Sequence, residues 1–214
     1  MSYAIPSVTR VPAAERGLTI ADFLVPVPVG ERVSPRIRDI AFVLAGTALL
    51  VIGSLISVPI PGSPVPFTLQ TLAVLLVGGA LGLRRGALSA VLFVALGMVG
   101  VPWFAEARGG VQVIFGTTGG YLVGFIAAAA LVGRLAELGW DRHLGGSIGM
   151  NALGTAVIYL VGVPWLAVTA GVSPGEAIGL GLAPFLAGDV IKLLVAAGVF
   201  PAAWWVVGRR PSDR

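Results

Sequence analysis

Six apolar runs, each closed by proline, glycine or charge, divide the stretch from residue 40 to residue 207. They cover roughly 40–58, 67–83, 86–101, 121–135, 147–168 and 180–207. A soluble domain has about a quarter of its residues charged; here only 11% are, and 57% are hydrophobic. The mean hydropathy of +0.96 agrees with that balance. Hydrocarbon offers a peptide group no hydrogen bond, so each run must satisfy its own backbone, and a helix does so. The expected fold is an all-α integral membrane protein. It has a cytoplasmic arm at 1–37, a six-helix bundle at 38–208 and a cytoplasmic tail at 209–214. The arm lacks the apolar core and cleavage site of a signal peptide, and its part around Ile20–Val29 is expected along the membrane surface. The third and fourth runs fall short of the roughly 17–25 residues of a span. A tilted helix, a broken one, or one extended by the 102–120 connection all remain open.

The basic residues set the orientation. If the connections alternate sides, twelve arginines share one side: Arg10, Arg16, Arg32, Arg36, Arg38, Arg84, Arg85, Arg134, Arg142, Arg209, Arg210 and Arg214. Arg108 stands alone on the other. The positive-inside rule then puts both termini in the cytoplasm. The same scatter argues against nucleic acid, despite a pI near 10.3, because no basic patch with interleaved aromatics exists. There is no cysteine, so disulfides and thiolate chemistry are excluded.

Against this background the string GDVIK (188–192) stands out. Asp189 and Lys192, the only lysine, lie three apart in a run with no other charge from 182 to 207. Charge at membrane depth costs about 2.5–3.5 kcal/mol on insertion scales and reads first as function. Three residues apart on a helix, the two side chains share a face and set an acceptor beside a donor. A buried strut between helices is the plainer alternative. From an outer helix end near Ala183–Pro184, Asp189 lies ~7–8 Å deep and Lys192 ~12 Å deep. Arg108, the one outer basic residue, suits a carboxylate through its two-pronged fork. Gln70 and Thr68, at the outer end of the second run, can turn into the same cavity. Thr68 has the alternative of bonding its own helix. Tyr121 and Trp103 suit either the aromatic belt or stacking on a ligand ring. Gly109, in the glycine-rich RGG stretch, reads as a turn or as backbone brought close to a ligand. Asn151 is expected to join helices. Ala41 and Ala45 form a small-residue face, for internal packing or for a partner.

Catalysis has no support. There is no phosphate-binding GxxxxGK[ST] loop. The single histidine, His143, sits in a polar inner loop with Asp141 and Arg142. No cluster has metal-ligand spacing.

Taken together and in order, VPFTLQTLAVLLVGGALGLRRG (65–86), GMVGVPWFAEARGG (97–110), GTTGGYLVGF (116–125) and PFLAGDVIK (184–192) closely resemble the BioY family. These are the biotin-specific substrate-binding subunits of energy-coupling factor (ECF) transporters. The resemblance runs from about Ile40 to Val207. Thr117 and Ala187 stand where the family usually has proline. It implies high-affinity capture of biotin from outside and uptake across the bacterial cytoplasmic membrane. It also implies a transporter subunit that is no enzyme, has no cofactor and binds no metal. Asp189 and Lys192 would meet the biotin head group and Arg108 the ligand as well, with the valerate carboxylate its expected contact. Gln70, Thr68, Tyr121 and Gly109 would complete the site. The implied partners are a transmembrane coupling protein (the T component), reached through Ala41 and Ala45, and two cytoplasmic ATPases. Another vitamin or a biotin precursor as ligand, transport without partners, and a homo-oligomer stay open, and an intramembrane enzyme or structural protein is the remote alternative.

Overall fold

The computed structural model describes residues 18–24 and 34–208. Arg10, Arg16, Arg32, Arg209, Arg210, Arg214 and the 25–29 part of the expected surface stretch lie outside them. The described elements are α1 (Ile20–Leu24), α2 (Pro35–Leu55), a two-residue hairpin of β1 (Ser57–Val58) and β2 (Phe67–Thr68), α3 (Gln70–Met98), α4 (Val111–Ile114), α5 (Gly119–Glu137), α6 (Leu144–Ala170), α7 (Pro174–Gly181) and α8 (Leu186–Gly208). Among the described residues, five helical stretches are long and apolar enough to cross a membrane: Pro35–Leu55, Gln70–Met98, Gly119–Glu137, Leu144–Ala170 and Pro174–Val207.

The expected second and third runs fall in the single stretch of α3, which bends at Gly82. Its φ of 82° and ψ of −179° suit only glycine. A Cβ built on Gly86 would lie 3.0 Å from the Cα of Gly78. Eight residues of straight helix separate such atoms by ~12 Å, so the two halves fold back on each other. Glu137 closes the turn by accepting the Leu83 N–H at 2.9 Å. Gly78 packs directly on the α5 backbone at Ala129, an approach that any side chain would prevent.

Four expectations change here. The 169–179 loop holds α7, opened by a capping box in which Ser173 and Glu176 satisfy each other's backbone N–H. The final run breaks at Ala183–Phe185 before α8 begins. Asn151 does not join helices: its amide donates to Ser147 O, 2.7 Å away in its own helix. Trp103 lies inside the fold, stacked on Phe93 at 5.8 Å and donating to the Phe93 carbonyl at 3.0 Å. Of the small-residue face on α2, Ala41 and Ala45 are exposed, while Gly46 and Thr47 are buried, Gly46 against Ser89.

α1 is packed into the fold. Thr19, Ile20 and Ala21 are buried, and Phe23 meets Trp204 of α8 edge-on at 5.3 Å. Asp22 accepts from Arg85 at 2.8 Å, and the same guanidinium reaches Asp39 of α2 at 2.9 Å. Burial alone would raise the Asp22 pKa, but hydrogen bonds from Thr19 and the charge of Arg85 outweigh it and lower it. One arginine therefore ties α1, α2 and α3 together. Arg85→Ala is expected to cost about 1–2 kcal/mol of stability, since both carboxylates keep some solvent. Arg85→Lys should rescue only part of it, because an ammonium has no fork. Thermal unfolding in detergent measures both.

Between α5 and α6, Asp141 is fully buried, while His143 beside it is exposed as expected. The Trp204 indole N–H donates to Asp141 at 2.6 Å, yet burial pushes its carboxyl up to about 6. A carboxyl raised by folding stabilises the protonated form, so its contribution is full below about pH 4 and lost as pH rises through 6. Asp141→Asn should therefore raise the unfolding temperature at pH 7.5, and the gain should vanish below about pH 4.

Candidate functional site

The break before α8 positions the site. With the helix restarting at Leu186, Asp189 falls in its first turn and Lys192 one turn below on the same face. Opposite stands the start of α3, delivered by the β hairpin, in which Ser57 pairs with Thr68 and Val58 with Phe67. Gly188 allows this contact: a Cβ there would run into the Phe67 ring.

Asp189 and Lys192 are only 4% and 5% exposed, and their ion pair is 2.7 Å long. Lys192 also donates to the Thr68 carbonyl at 2.6 Å and to Thr71 Oγ1 at 3.1 Å, and its ammonium lies 3.7 Å from the centre of the Phe67 ring. All three N–H donors thus have protein partners, and the ring face adds a cation–π contact. The Thr71 hydroxyl in turn donates to Asp189 Oδ1 at 3.0 Å, and the Tyr159 hydroxyl donates to Oδ2. A carboxylate offers about four acceptor positions. Three are filled, which leaves one on Oδ2.

Gln70 is the complement. It is 4% exposed, and its Nε2 has no hydrogen-bond partner among the described residues. A buried amide N–H2 without an acceptor costs roughly 1–3 kcal/mol. Gln70, Asp189 and Lys192 all line one cleft. Its walls are largely apolar, with Phe104, Leu122, Phe125, Ile158 and Phe185 among them. The cleft suits a ligand with an apolar body, one N–H for Asp189 and one carbonyl for Gln70.

Other expected residues take different places. Tyr121 lines the cleft, but its hydroxyl is committed to the Gly181 carbonyl at 2.7 Å, which ties α5 to α7. Thr68 contributes its carbonyl; its hydroxyl accepts from Gln70 N at 3.2 Å. Arg108 is half exposed, at the mouth of the cleft, and paired with Glu106 at 2.9 Å. Glu106 and Ala107 both have positive φ, 61° and 55°, which holds the chain in the tight turn that presents Arg108. Gly109 does not line the cleft. It borders a shallower polar pocket beside it with Arg108, Gln112, Thr117 and Thr118. Tyr159, Thr71 and Phe67 are additions. A lone tyrosine within the fifth apolar run was the available signal for Tyr159, and Thr71 adjoins Gln70 in PFTLQTL.

Residues 26–209 match the BioY family. The chain belongs to the BioY family. It is 42% identical over 151 residues to the biotin transporter BioY of Thermotoga maritima, an alignment covering 71% of this chain and 86% of that one. It is 36% identical over 186 residues to the biotin transporter BioY of Rhodobacter capsulatus, covering 82% and 96%. Its fold matches the crystal structure of the S-component for biotin from an ECF-type ABC transporter. The TM-score is 0.73 at 26% identity, over 79% of this chain and 92% of that one. α1 precedes the residues that match the family.

Two substitutions test the site of this BioY chain without any ligand. Lys192→Met leaves the Asp189 carboxylate without its counter-charge and should lower the unfolding temperature markedly, since breaking a buried pair costs about 3–5 kcal/mol. Gln70→Leu removes an unsatisfied amide and should leave stability unchanged or raise it. A stability loss in Gln70→Leu equal to that in Lys192→Met would contradict the reading of the Gln70 amide as unsatisfied.

Proposed function

We infer that this BioY chain captures biotin and serves its uptake across the cytoplasmic membrane as the substrate-binding subunit of an ECF transporter. The observation that carries the reading is the pairing of one open acceptor position on Asp189 with the partnerless Gln70 amide inside an apolar cleft. The biotin head group is a cyclic urea with two N–H donors and one carbonyl. One N–H meets Asp189 Oδ2, and the carbonyl meets Gln70 Nε2. Lys192 keeps Asp189 ionised and in place, and can turn a proton to the ligand only by leaving Thr71 or Thr68. The fused rings lie among the apolar walls. The valerate carboxylate reaches the mouth, where the Arg108 guanidinium exchanges Glu106 for it.

This reading counts the two halves of α3 as separate crossings, so that six helices leave both termini in the cytoplasm. In support, Arg85, Arg134 and Glu137 gather around the Gly82 turn, with Arg142 and Trp204 at the same end of the bundle. The cleft and Arg108 occupy the other end. The T component docks on the exposed Ala41–Ala45 face of α2, and ATP is hydrolysed by two separate ATPases.

Equilibrium binding to the purified protein tests the reading. Biotin should bind without ATP, and Asp189→Asn, Lys192→Met and Gln70→Leu should each weaken it at least tenfold. Riboflavin and thiamine should not displace it. Displacement by either, or unchanged affinity in all three variants, would overturn the assignment of ligand or site.

A further inference from the structure

Asp189 borders two cavities of opposite character. One is the cleft described above. The other is a groove between α6 and α8, lined by Ala156, Leu160, Val163, Leu186, Val190 and Leu193 and almost wholly apolar. Leu160 and Val190 at its edge are 72% and 53% exposed, so in a bilayer the groove faces acyl chains. The two cavities share two lining residues, Asp189 and Tyr159. Between the ligand position and the hydrocarbon there is thus a partition one side chain thick, and half of it is an ionisable carboxylate.

The two carboxylate oxygens are divided to match. Oδ1 takes Lys192 and Thr71, both on the cleft side. Oδ2 takes the Tyr159 hydroxyl, which reaches it from α6, the helix that forms one wall of the groove. The Tyr159 ring is fixed edge-on against Tyr121 at 6.3 Å, and Tyr121 is itself tied to Gly181. An ionised carboxylate beside hydrocarbon is strongly disfavoured, and a hydrogen bond to the charged form offsets that.

We propose that Tyr159 is a positioning residue for biotin binding: its hydroxyl closes the partition between ligand cleft and lipid-facing groove and keeps Asp189 ionised, with its open acceptor position presented to the ligand. This rests on the reading of Asp189 as a biotin acceptor. The ionisable groups facing Asp189 are Lys192 on its own helix, Tyr159 from α6, Tyr121 behind it from α5, and Arg108 at the cleft mouth. Thr71 and Gln70 from α3 do not titrate. Tyr159→Phe keeps the ring and removes only the donor.

The test is biotin affinity from pH 5 to pH 9 for the unaltered protein and for Tyr159→Phe. Tyr159→Phe removes one of the three donors to the charged carboxylate. The pH at which binding falls to half should therefore move up, with affinity at pH 9 within a few-fold of the parent. A superimposable profile, or a loss equal at every pH, overturns the proposal. Should Tyr159→Phe fail to fold, the unaltered protein answers the same question, because it has only three tyrosines, Tyr3, Tyr121 and Tyr159. With ¹³C at the ring Cζ, the Tyr159 resonance should move over the pH interval in which biotin affinity is lost, while Tyr121 stays fixed. A stationary Tyr159 resonance overturns the proposal. A parent that binds no biotin at any pH overturns the functional reading itself, whereas a binding parent with an unshifted variant sinks only the role of Tyr159.

Discussion

A lysine and an aspartate buried side by side among apolar helices are tolerable only if nearly every hydrogen-bonding position they carry is filled. That requirement organises this protein. Lys192 has three protons and three partners, and Asp189 draws donors from its own helix, from α3 and from α6. The pair therefore fixes the relative position of three helices at one level of the membrane. A site held this firmly loses little freedom when a small rigid molecule enters, and that favours affinity. The strut and the proposed binding site are the same object.

The packing that delivers those partners depends on missing side chains. Gly188 lets Phe67 reach across Lys192, Gly78 lets α3 lie against the α5 backbone, and Gly82 lets α3 turn back on itself. Close approach of helix backbones is what drives association where lipid is as apolar as leucine. At the far end, the forked Arg85 and the Leu83–Glu137 bond close the turn with polar contacts placed near water. α1, outside the residues that match the BioY family, is bound into the same network.

The site was legible in the sequence where its geometry is local. Spacing i, i+3 is enough to place Asp189 beside Lys192, and the 2.7 Å ion pair follows from helix geometry. Gln70 stood out as an amide in hydrocarbon, and it is the polar group without a partner in the cleft. Tyr159, 30 residues from Asp189, and Thr71, 118 residues away, were not legible, because nothing in a single run says which face of one helix will meet another. The charge pattern set Arg108 apart from the other arginines, and it lies at the mouth of the cleft, but its pairing with Glu106 follows from a turn at positive φ that composition does not reveal. Gly109 was read from its glycine-rich stretch as a turn or as backbone close to a ligand, and it borders the pocket that adjoins the cleft.

By itself the sequence determined that the chain is a helical membrane protein, that its one intramembrane ion pair lies near one end of the last span, and, through a resemblance over several ordered motifs, that it belongs with the biotin-specific subunits. These follow from quantities that accumulate along a chain: apolar run length, the placement of arginines, and motif order. Tertiary structure alone decided that α3 bends back at Gly82, that α1 is buried, that Asn151 bonds its own helix, and which groups complete the coordination of Asp189 and Lys192. The reason is that buried polar groups at membrane depth take whatever donor or acceptor the packing brings within about 3 Å. Which one arrives depends on helix rotation and contact distance, and apolar runs of nearly uniform composition do not encode these in any local pattern.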